Sequence, residues 1–152
     1  MNDRRKRVLF ICIGNACRSQ MAEAFARTYG SDVLVPASAG LAPAVFIPSD
    51  TMDAMAEKNI DLHDHFSKGL QHLGRAEFDL VVNMSGCAIP EDLAARTQVV
   101  EWDVEDPVSL DYERHCAIRD QIEGLVMKLI LDLRRSQPHS RMRGQGSGRL
   151  SL

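Results

Sequence analysis

The hydrophobic residues of this chain fall into two kinds of pattern. Short apolar runs at residues 7–13, 33–37, 79–84 and 98–102 predict four β-strands. The first run is apolar at every position from Val8 to Ile13, which is typical of a strand that is covered on both faces of its sheet. A turn-rich stretch, SAGLAP, follows the second predicted strand.

Between these runs the apolar residues recur with helical spacing and predict four helices, at residues 19–30, 48–59, 90–96 and 111–135. The predicted buried face of the first helix consists of Met21, Ala24, Phe25 and Thr28, and that of the second of Met52, Met55 and Ala56. The predicted buried stripe of the long last helix consists of Ile118, Ile122, Leu125, Leu129 and Leu133. The polar stretch 63–78 is irregular and has room for one more short helix.

These elements alternate between strand and helix along the chain. That order predicts an α/β fold, a small four-stranded parallel sheet with helices on both faces. In such sheets ligands bind at the carboxyl ends of the strands, where a loop leads into the N-terminus of a helix. The loop between the first strand and the first helix is therefore a predicted ligand site.

Length and charge indicate one domain with two basic ends. The 152 residues suit a single hydrophobic core, which we assign to residues 7–135. Residues 1–6 are predicted to be a basic flexible N-terminus and residues 136–152 a disordered basic tail. Residues 1–7 and 136–152 each carry a net charge of +3, which leaves −9 for the rest of a chain whose total is −3. An acidic body lacks the basic face that nucleic-acid phosphates require, so we exclude nucleic acid as a partner.

The composition also argues against disulfides, metals and membranes. The four cysteines form no C-x-x-C pair and no dense scaffold, and we interpret them as thiols: Cys12, Cys17, Cys87 and Cys116. The cysteines and histidines lack the spacing of a zinc site, so no metal and no cofactor is predicted. Three histidines of the irregular stretch are expected to be solvated: His63, His65 and His72. No apolar run approaches the roughly 20 residues of a membrane span, and we expect a cytoplasmic protein without a membrane partner.

The sequence CIGNACRS, residues 12–19, places reactive and polar side chains where the first strand becomes a helix. Gly14 and Asn15 tolerate positive φ, which lets successive backbone N–H groups converge on one point. The following helix adds its positive dipole there, and Arg18 offers a two-pronged donor to a tetrahedral oxyanion. Cys12 at the base of such a cradle would be stabilised as a thiolate, and Ser19 is placed to donate its hydroxyl to that sulfur. The residues thus predict a phosphate-like anion held over a thiolate nucleophile.

With this motif between strand and helix, the chain resembles the low-molecular-weight protein tyrosine phosphatase family, which includes a branch of arsenate reductases. The resemblance covers residues 7–135 and extends to the segments SAG (38–40), NIDL (59–62) and FDLVVNM (78–84). It implies a phosphatase-like catalytic domain with a phosphate loop between the first strand and the first helix.

The resemblance also implies a role for each site residue. Cys12 would be the nucleophile, Arg18 the clamp on the transition state, and Asp106 of an Asp-Pro pair the general acid. A carboxyl beside a dianion is favoured in its protonated form, so it can donate to a leaving oxygen; Asp103 is the nearest rival for this role. The remaining phosphate-binding positions would be Ile13, Gly14, Asn15, Ala16, Cys17 and Ser19.

Two activities share this anion cradle. We predict phosphomonoester hydrolysis of a phosphotyrosine protein or a small phosphoester, with arsenate reduction as the alternative and a non-catalytic phosphate-binding or redox-sensing module as a third reading. The segment RSQMA at Gln20 resembles the reductases, yet Ser85 stands where thioredoxin-coupled members carry a cysteine. Cys87 stands two residues later with no second cysteine on that loop. The reductant would then be Cys87 or an external thiol such as thioredoxin or a small thiol, and in the latter case Cys87 is incidental. Cys17 is predicted either to pack at the start of the helix or to form a protective disulfide with Cys12.

Overall fold

A computed structural model describes residues 3–137. Within these residues four parallel strands form one sheet in the order β2-β1-β3-β4. The strands are β1 (Lys6–Cys12), β2 (Leu34–Gly40), β3 (Leu80–Asn83) and β4 (Gln98–Glu101). The helices are α1 (Arg18–Gly30), α2 (Ser49–Ala56), α3 (Glu91–Arg96) and α4 (Tyr112–Arg135), with a 3-10 turn at Leu70–Leu73. The predicted α/β class, with a parallel sheet of four strands, is confirmed.

Helices cover both faces of this sheet, as predicted. Val8, Phe10 and Cys12 of β1 lie in the core cluster that α1, α2 and α4 form on one face. Leu9 and Ile11 alternate with them and pack on the other face, which α3 and the 3-10 turn cover. Because β1 is central and buried on both sides, its apolar residues run without interruption. The loop that follows β1 therefore starts from the middle of the sheet, between its neighbours β2 and β3.

The structure corrects the end of the second strand. Residues 38–40, predicted as the start of a turn-rich stretch, belong to β2, which pairs with β1 as far as Gly40 opposite Cys12. A side-chain carbon at Gly40 would lie 2.7 Å from the carbonyl oxygen of Ile13 and 2.8 Å from the nitrogen of Asn15. Glycine is thus required there so that β2 can run alongside the loop after β1.

The predicted helical faces are correct in part. In α4 the fully buried positions include Val126 and Ile130, whereas Leu125, Leu129 and Leu133 are only partly buried. The buried stripe continues from Ile118 and Ile122 in steps of four, along the ridge by which a helix packs on its neighbour. Thr28 near the end of α1 and Ala56 at the end of α2 are exposed, contrary to the prediction.

The structure shifts the bounds of the first strand by one residue and describes only the start of the predicted tail. Lys6 already lies in β1, and Ile13, predicted as the last strand residue, lies in the loop beyond it. Most of the predicted disordered tail, from residue 138 on, lies outside the described residues. None of the helices within residues 3–137 combines the length and the apolar character that a bilayer span requires.

Candidate active site

The segment between β1 and α1 curls beside the end of β2. Asn15 adopts a left-handed conformation with φ of 51°, whereas Gly14 has no positive φ, so the expectation of positive φ holds for Asn15 and fails for Gly14. The carbonyl oxygens of the residues at 12, 13 and 14 accept hydrogen bonds from the backbone N–H groups of residues 41, 42 and 44. A neighbouring segment thus fixes the loop, and nothing in the sequence pattern indicated this contact.

Cys12 lies at the base of this loop and is 2% exposed. Its Sγ is 2.9 Å from the hydroxyl oxygen of Ser19, as the sequence predicted. The side-chain amide of Asn15 donates to the same hydroxyl at 2.7 Å. Because α1 begins at Arg18, the positive end of its dipole points toward this group of atoms.

Arg18 joins the loop to two other segments. Its Nη1 donates to the carbonyl oxygens of Met84, after β3, and of Val104, after β4, the latter at 2.9 Å. Its Nη2 lies 3.5 Å from a carboxylate oxygen of Asp106. Cys12, Arg18 and Asp106 line one small cavity of about 20 Å³. The structure therefore brings together the three residues that the sequence singled out from distant parts of the chain.

The rival acid, Asp103, lies elsewhere. It lines a second cavity together with Trp102, on the side of Arg18 where residues 84–86 approach. Asp106 is 43% exposed, and one of its carboxylate oxygens accepts a hydrogen bond from the backbone N–H of Val108 at 3.1 Å. This turn holds the Asp106 carboxylate at the mouth of the cavity that contains Cys12.

Cys17 lines the same cavity as Cys12 and is 3% exposed. The hydroxyl of Thr51 in α2 donates to the Cys17 sulfur at 3.2 Å and lies 2.8 Å from Nε2 of His115 in α4. Burial raises the pKa of Cys17 to about 11. Burial also lowers the pKa of His115. Sequence reasoning missed both partners, because only the packing of α2 and α4 brings them to the loop.

Cys87 is exposed on the loop after β3. Its backbone N–H donates to the hydroxyl of Ser85 at 3.0 Å, and its carbonyl oxygen accepts from the amide of Asn83 at 2.8 Å. Ser85 in turn donates its hydroxyl hydrogen to Asn83. Cys87 does not line the cavity that Cys12 and Cys17 share. Cys87 thus lies outside that cavity, and its redox role stays a prediction.

A second layer of polar side chains supports the loop from behind. The amide nitrogen of Gln20, which is fully buried, lies 2.9 Å from the side-chain oxygen of Asn15 and 2.9 Å from the carbonyl oxygen of Phe66. Nδ1 of His65 is 2.9 Å from the side-chain oxygen of Gln20, so the prediction that His65 is merely solvated is wrong. Lys68 donates its backbone N–H to the same Asn15 oxygen at 3.0 Å. The irregular polar stretch gave no sign of this role, because its contacts depend on the tertiary fold.

The described residues 3–137 include no cluster of three or more histidine, cysteine, aspartate or glutamate side chains arranged to hold a metal ion. The polar groups beside Cys12 are the hydroxyl of Ser19 and, in the same cavity, the guanidinium of Arg18. This set suits the binding of an oxyanion.

Comparisons with known proteins agree with this geometry. A family model described as low molecular weight phosphotyrosine protein phosphatase matches residues 7–139. A glutaredoxin arsenate reductase from Synechocystis sp. is 32% identical over 127 residues, which are 82% of this chain and 96% of that protein.

Solved structures of both activities have the same fold. An arsenate reductase in its phosphate-binding state superposes with a TM-score of 0.75 at 30% identity, over 84% of this chain and 98% of that chain. The YwlE arginine phosphatase from Geobacillus stearothermophilus superposes with a TM-score of 0.74 at 26% identity, over 87% of this chain and 95% of that chain. With a family model that matches most of its length, the chain belongs to the low molecular weight phosphotyrosine protein phosphatase family.

Proposed function

We propose that this protein hydrolyses phosphomonoesters through a cysteinyl-phosphate intermediate. The observation that carries the proposal is the position of Asp106. Its carboxylate lies 3.5 Å from the Arg18 guanidinium and lines the cavity that contains Cys12. Hydrolysis needs an acid facing the nucleophile, since a leaving oxygen must be protonated and a water must later be activated.

In the first step the Cys12 thiolate attacks phosphorus, and the bond from phosphorus to the leaving oxygen breaks. Asp106 gives its proton to that oxygen. In the second step the ionised Asp106 takes a proton from water, whose oxygen attacks phosphorus while the sulfur–phosphorus bond breaks. Inorganic phosphate leaves and the thiolate is restored. Arg18 and the backbone N–H groups from Ile13 to Arg18 hold the phosphoryl oxygens through both steps.

The mouth of this site is partly apolar. Val108 lines the cavity and is 53% exposed, and Ile13 in the loop is 38% exposed. Apolar surface at the mouth suits an aryl or other apolar leaving group, which is why an aryl phosphate is the appropriate first probe. A phosphotyrosine protein and a small phosphoester remain the two proposed substrate types, in the predicted cytoplasmic location.

The test replaces Asp106 with Asn and uses Asp103→Asn as the matched control. We expect Asp106→Asn to lower kcat on an aryl phosphate by about 10²–10⁴-fold, because a positioned general acid contributes that much. The loss should grow as the leaving group becomes more basic. Asp103→Asn should keep most of the activity, and Cys12→Ser should have none. Equal losses in the two aspartate variants would refute the assignment, and wild-type protein inert on aryl phosphates would refute the hydrolase proposal.

Arsenate reduction is the second candidate, because curated relatives with about 30% identity are named arsenate reductases. Reduction of arsenate to arsenite takes two electrons, which two thiols supply as they form a disulfide. Cys12 would be the first thiol, and Cys87 or an external thiol the second. Arsenate should then be reduced in the presence of thioredoxin or glutathione-type thiols. Cys87→Ser tests whether the second thiol is internal, and Cys116→Ser, at a partly buried cysteine, is its control. If arsenate reduction is lost in Cys87→Ser and kept in Cys116→Ser, Cys87 is the second thiol.

A further inference from the structure

The side chain of Asn15 has a fixed orientation, and this orientation determines where the Ser19 proton points. Three N–H donors surround one terminal atom of the Asn15 amide: the backbone N–H of Lys68 at 3.0 Å, its ammonium at 3.4 Å, and the Gln20 amide at 2.9 Å. That atom must therefore be the oxygen, and the other terminal atom is the NH₂ group.

The direction of the next two hydrogen bonds follows. The NH₂ group of Asn15 donates to the hydroxyl oxygen of Ser19 at 2.7 Å. The single hydroxyl proton of Ser19 is then free to donate to the Cys12 sulfur at 2.9 Å. When Ser19 donates this proton, a chain of donors runs from Lys68 through Asn15 and Ser19 to Cys12, and its last hydrogen bond stabilises negative charge on the sulfur.

Gln20 is itself held in one orientation. Its NH₂ group faces the carbonyl oxygens of Asn15 and Phe66, so its own oxygen must face Nδ1 of His65. His65 therefore carries its proton on Nδ1 and donates it to Gln20. This contact keeps the chain from reversing, because a flipped Gln20 would place its oxygen against two carbonyl oxygens.

The first member of the chain is a partly buried cation, Lys68. The side chain of Lys68 is 14% exposed, and its ammonium lies 3.3 Å from the Ser38 hydroxyl and 3.8 Å from the carboxylate of Glu23. Burial lowers the pKa of Lys68, with Glu23 acting in the opposite direction. Arg27 contacts the same Glu23 at 2.7 Å from the solvent side, where it is 51% exposed. Two cations therefore share one carboxylate, and only Lys68 also touches Asn15.

We propose that Lys68 is a positioning residue for the nucleophile: through Asn15 and Ser19 its ammonium polarises the hydrogen bond to Cys12 and favours the thiolate. The proposal rests on the proposed function only in taking Cys12 as the nucleophile. Lys68 is not among the residues that line the cavity containing Cys12. Its ammonium contacts Asn15 instead, so it acts on the sulfur through Asn15.

The test measures ionisation of Cys12 directly and needs no substrate. The rate of iodoacetamide alkylation is followed against pH, and tandem mass spectrometry of the tryptic peptide 8–18 separates Cys12 from Cys17. Lys68→Met removes the ammonium and keeps the backbone N–H, so Asn15 keeps its orientation. Arg27→Met is the control, since it removes a cation from the same Glu23 without touching the chain.

We expect Lys68→Met to raise the midpoint pH of Cys12 alkylation by about half to one unit. An opposite charge within about 4–6 Å shifts such a midpoint by about 1–3 units, and Lys68 acts on the sulfur only through Asn15 and Ser19. Below both midpoints alkylation would slow about threefold to tenfold. Arg27→Met should leave the midpoint unchanged, and Lys68→Arg, which keeps the positive charge, should bring the midpoint most of the way back to the wild-type value. The other charged or ionisable groups that line the Cys12 cavity, Arg18, Asp106 and Cys17, are the same in every variant.

An unchanged midpoint in folded Lys68→Met would overturn the proposal, and so would an equal shift in Arg27→Met. If Lys68→Met does not fold, Lys68→Gln replaces it as the neutral variant and is judged by the same two outcomes. Failure of the proposed function is a separate result: wild-type protein would then not turn over an aryl phosphate, whatever the alkylation midpoint.

Discussion

Arg18 is expected to support the fold as well as the reaction, and Arg18→Lys separates the two. The Arg18 side chain is 5% exposed, and one of its nitrogens donates to the carbonyl oxygens of Met84 and Val104. The other faces Asp106 and the cavity. Lysine keeps the positive charge but has a single ammonium, which cannot bind both carbonyls and present a fork to an oxyanion.

The magnitudes follow from these bonds. A buried carbonyl left without a donor costs about 1–3 kcal/mol, so the loss of one in Arg18→Lys should lower the free energy of unfolding by about that amount. Arg18→Met strands both carbonyls and should cost about 2–6 kcal/mol by the same reasoning. In a domain of this size each kcal/mol lowers Tm by about 2–4 °C. The lost fork should reduce kcat by about 10²–10³-fold in Arg18→Lys.

Urea unfolding and aryl-phosphate turnover measure the two effects on the same samples. Arg114→Lys is the control, since Arg114 is 57% exposed and pairs with Glu105 at the surface, where a substitution usually changes stability by no more than about 0.5 kcal/mol. If Arg18→Met unfolds at the same urea concentration as the wild type, the two carbonyl contacts contribute nothing to stability. If Arg18→Lys keeps its turnover, Arg18 is not the clamp on the phosphoryl group.

Three further predictions follow from the surroundings of the loop. Gly40→Ala would put a carbon 2.7 and 2.8 Å from two backbone atoms of the loop. Because the loop must then move, kcat/KM on an aryl phosphate should fall about 10²-fold. Gly124→Ala adds a carbon with nothing within 4 Å and should keep the wild-type kcat/KM. His115 has a pKa lowered by burial from its ordinary 6.5, so below that pH the unfolded chain binds a proton that the folded protein does not. Stability measured by urea unfolding should therefore fall from about pH 7.5 to pH 5, and less steeply in His115→Gln; equal slopes would contradict the assignment. If Cys12 and Cys17 form a protective disulfide, the Cys17→Ser protein should fail to regain its activity after peroxide treatment. Unchanged recovery of activity would contradict the disulfide.

Local pattern predicted most of the fold of this protein. Apolar runs of strand length, helical spacing and their alternation depend on residues close in sequence, and they identified four parallel strands and the helices between them. The same is true of the loop at residues 12–19, whose glycine, asparagine, arginine and cysteine are recognisable side by side. Boundaries were less certain: residues 38–40 look like a turn, but they continue β2 because Gly40 lets two backbones approach closely.

The tertiary structure decided which distant residues serve that loop. Asp106 lies near Arg18 only because the segments after β1 and β4 meet at the carboxyl end of the parallel strands. The contacts of Gln20 with His65, and of Lys68 with Asn15, have no local signal, since the stretch that supplies them is polar and irregular in sequence. Hydrophobic periodicity predicted the strands and most of the helical faces, and the local motif at residues 12–19 predicted the place of the nucleophile. The direction of a buried hydrogen bond depends on every donor and acceptor around it, and these are known only once the chain has folded.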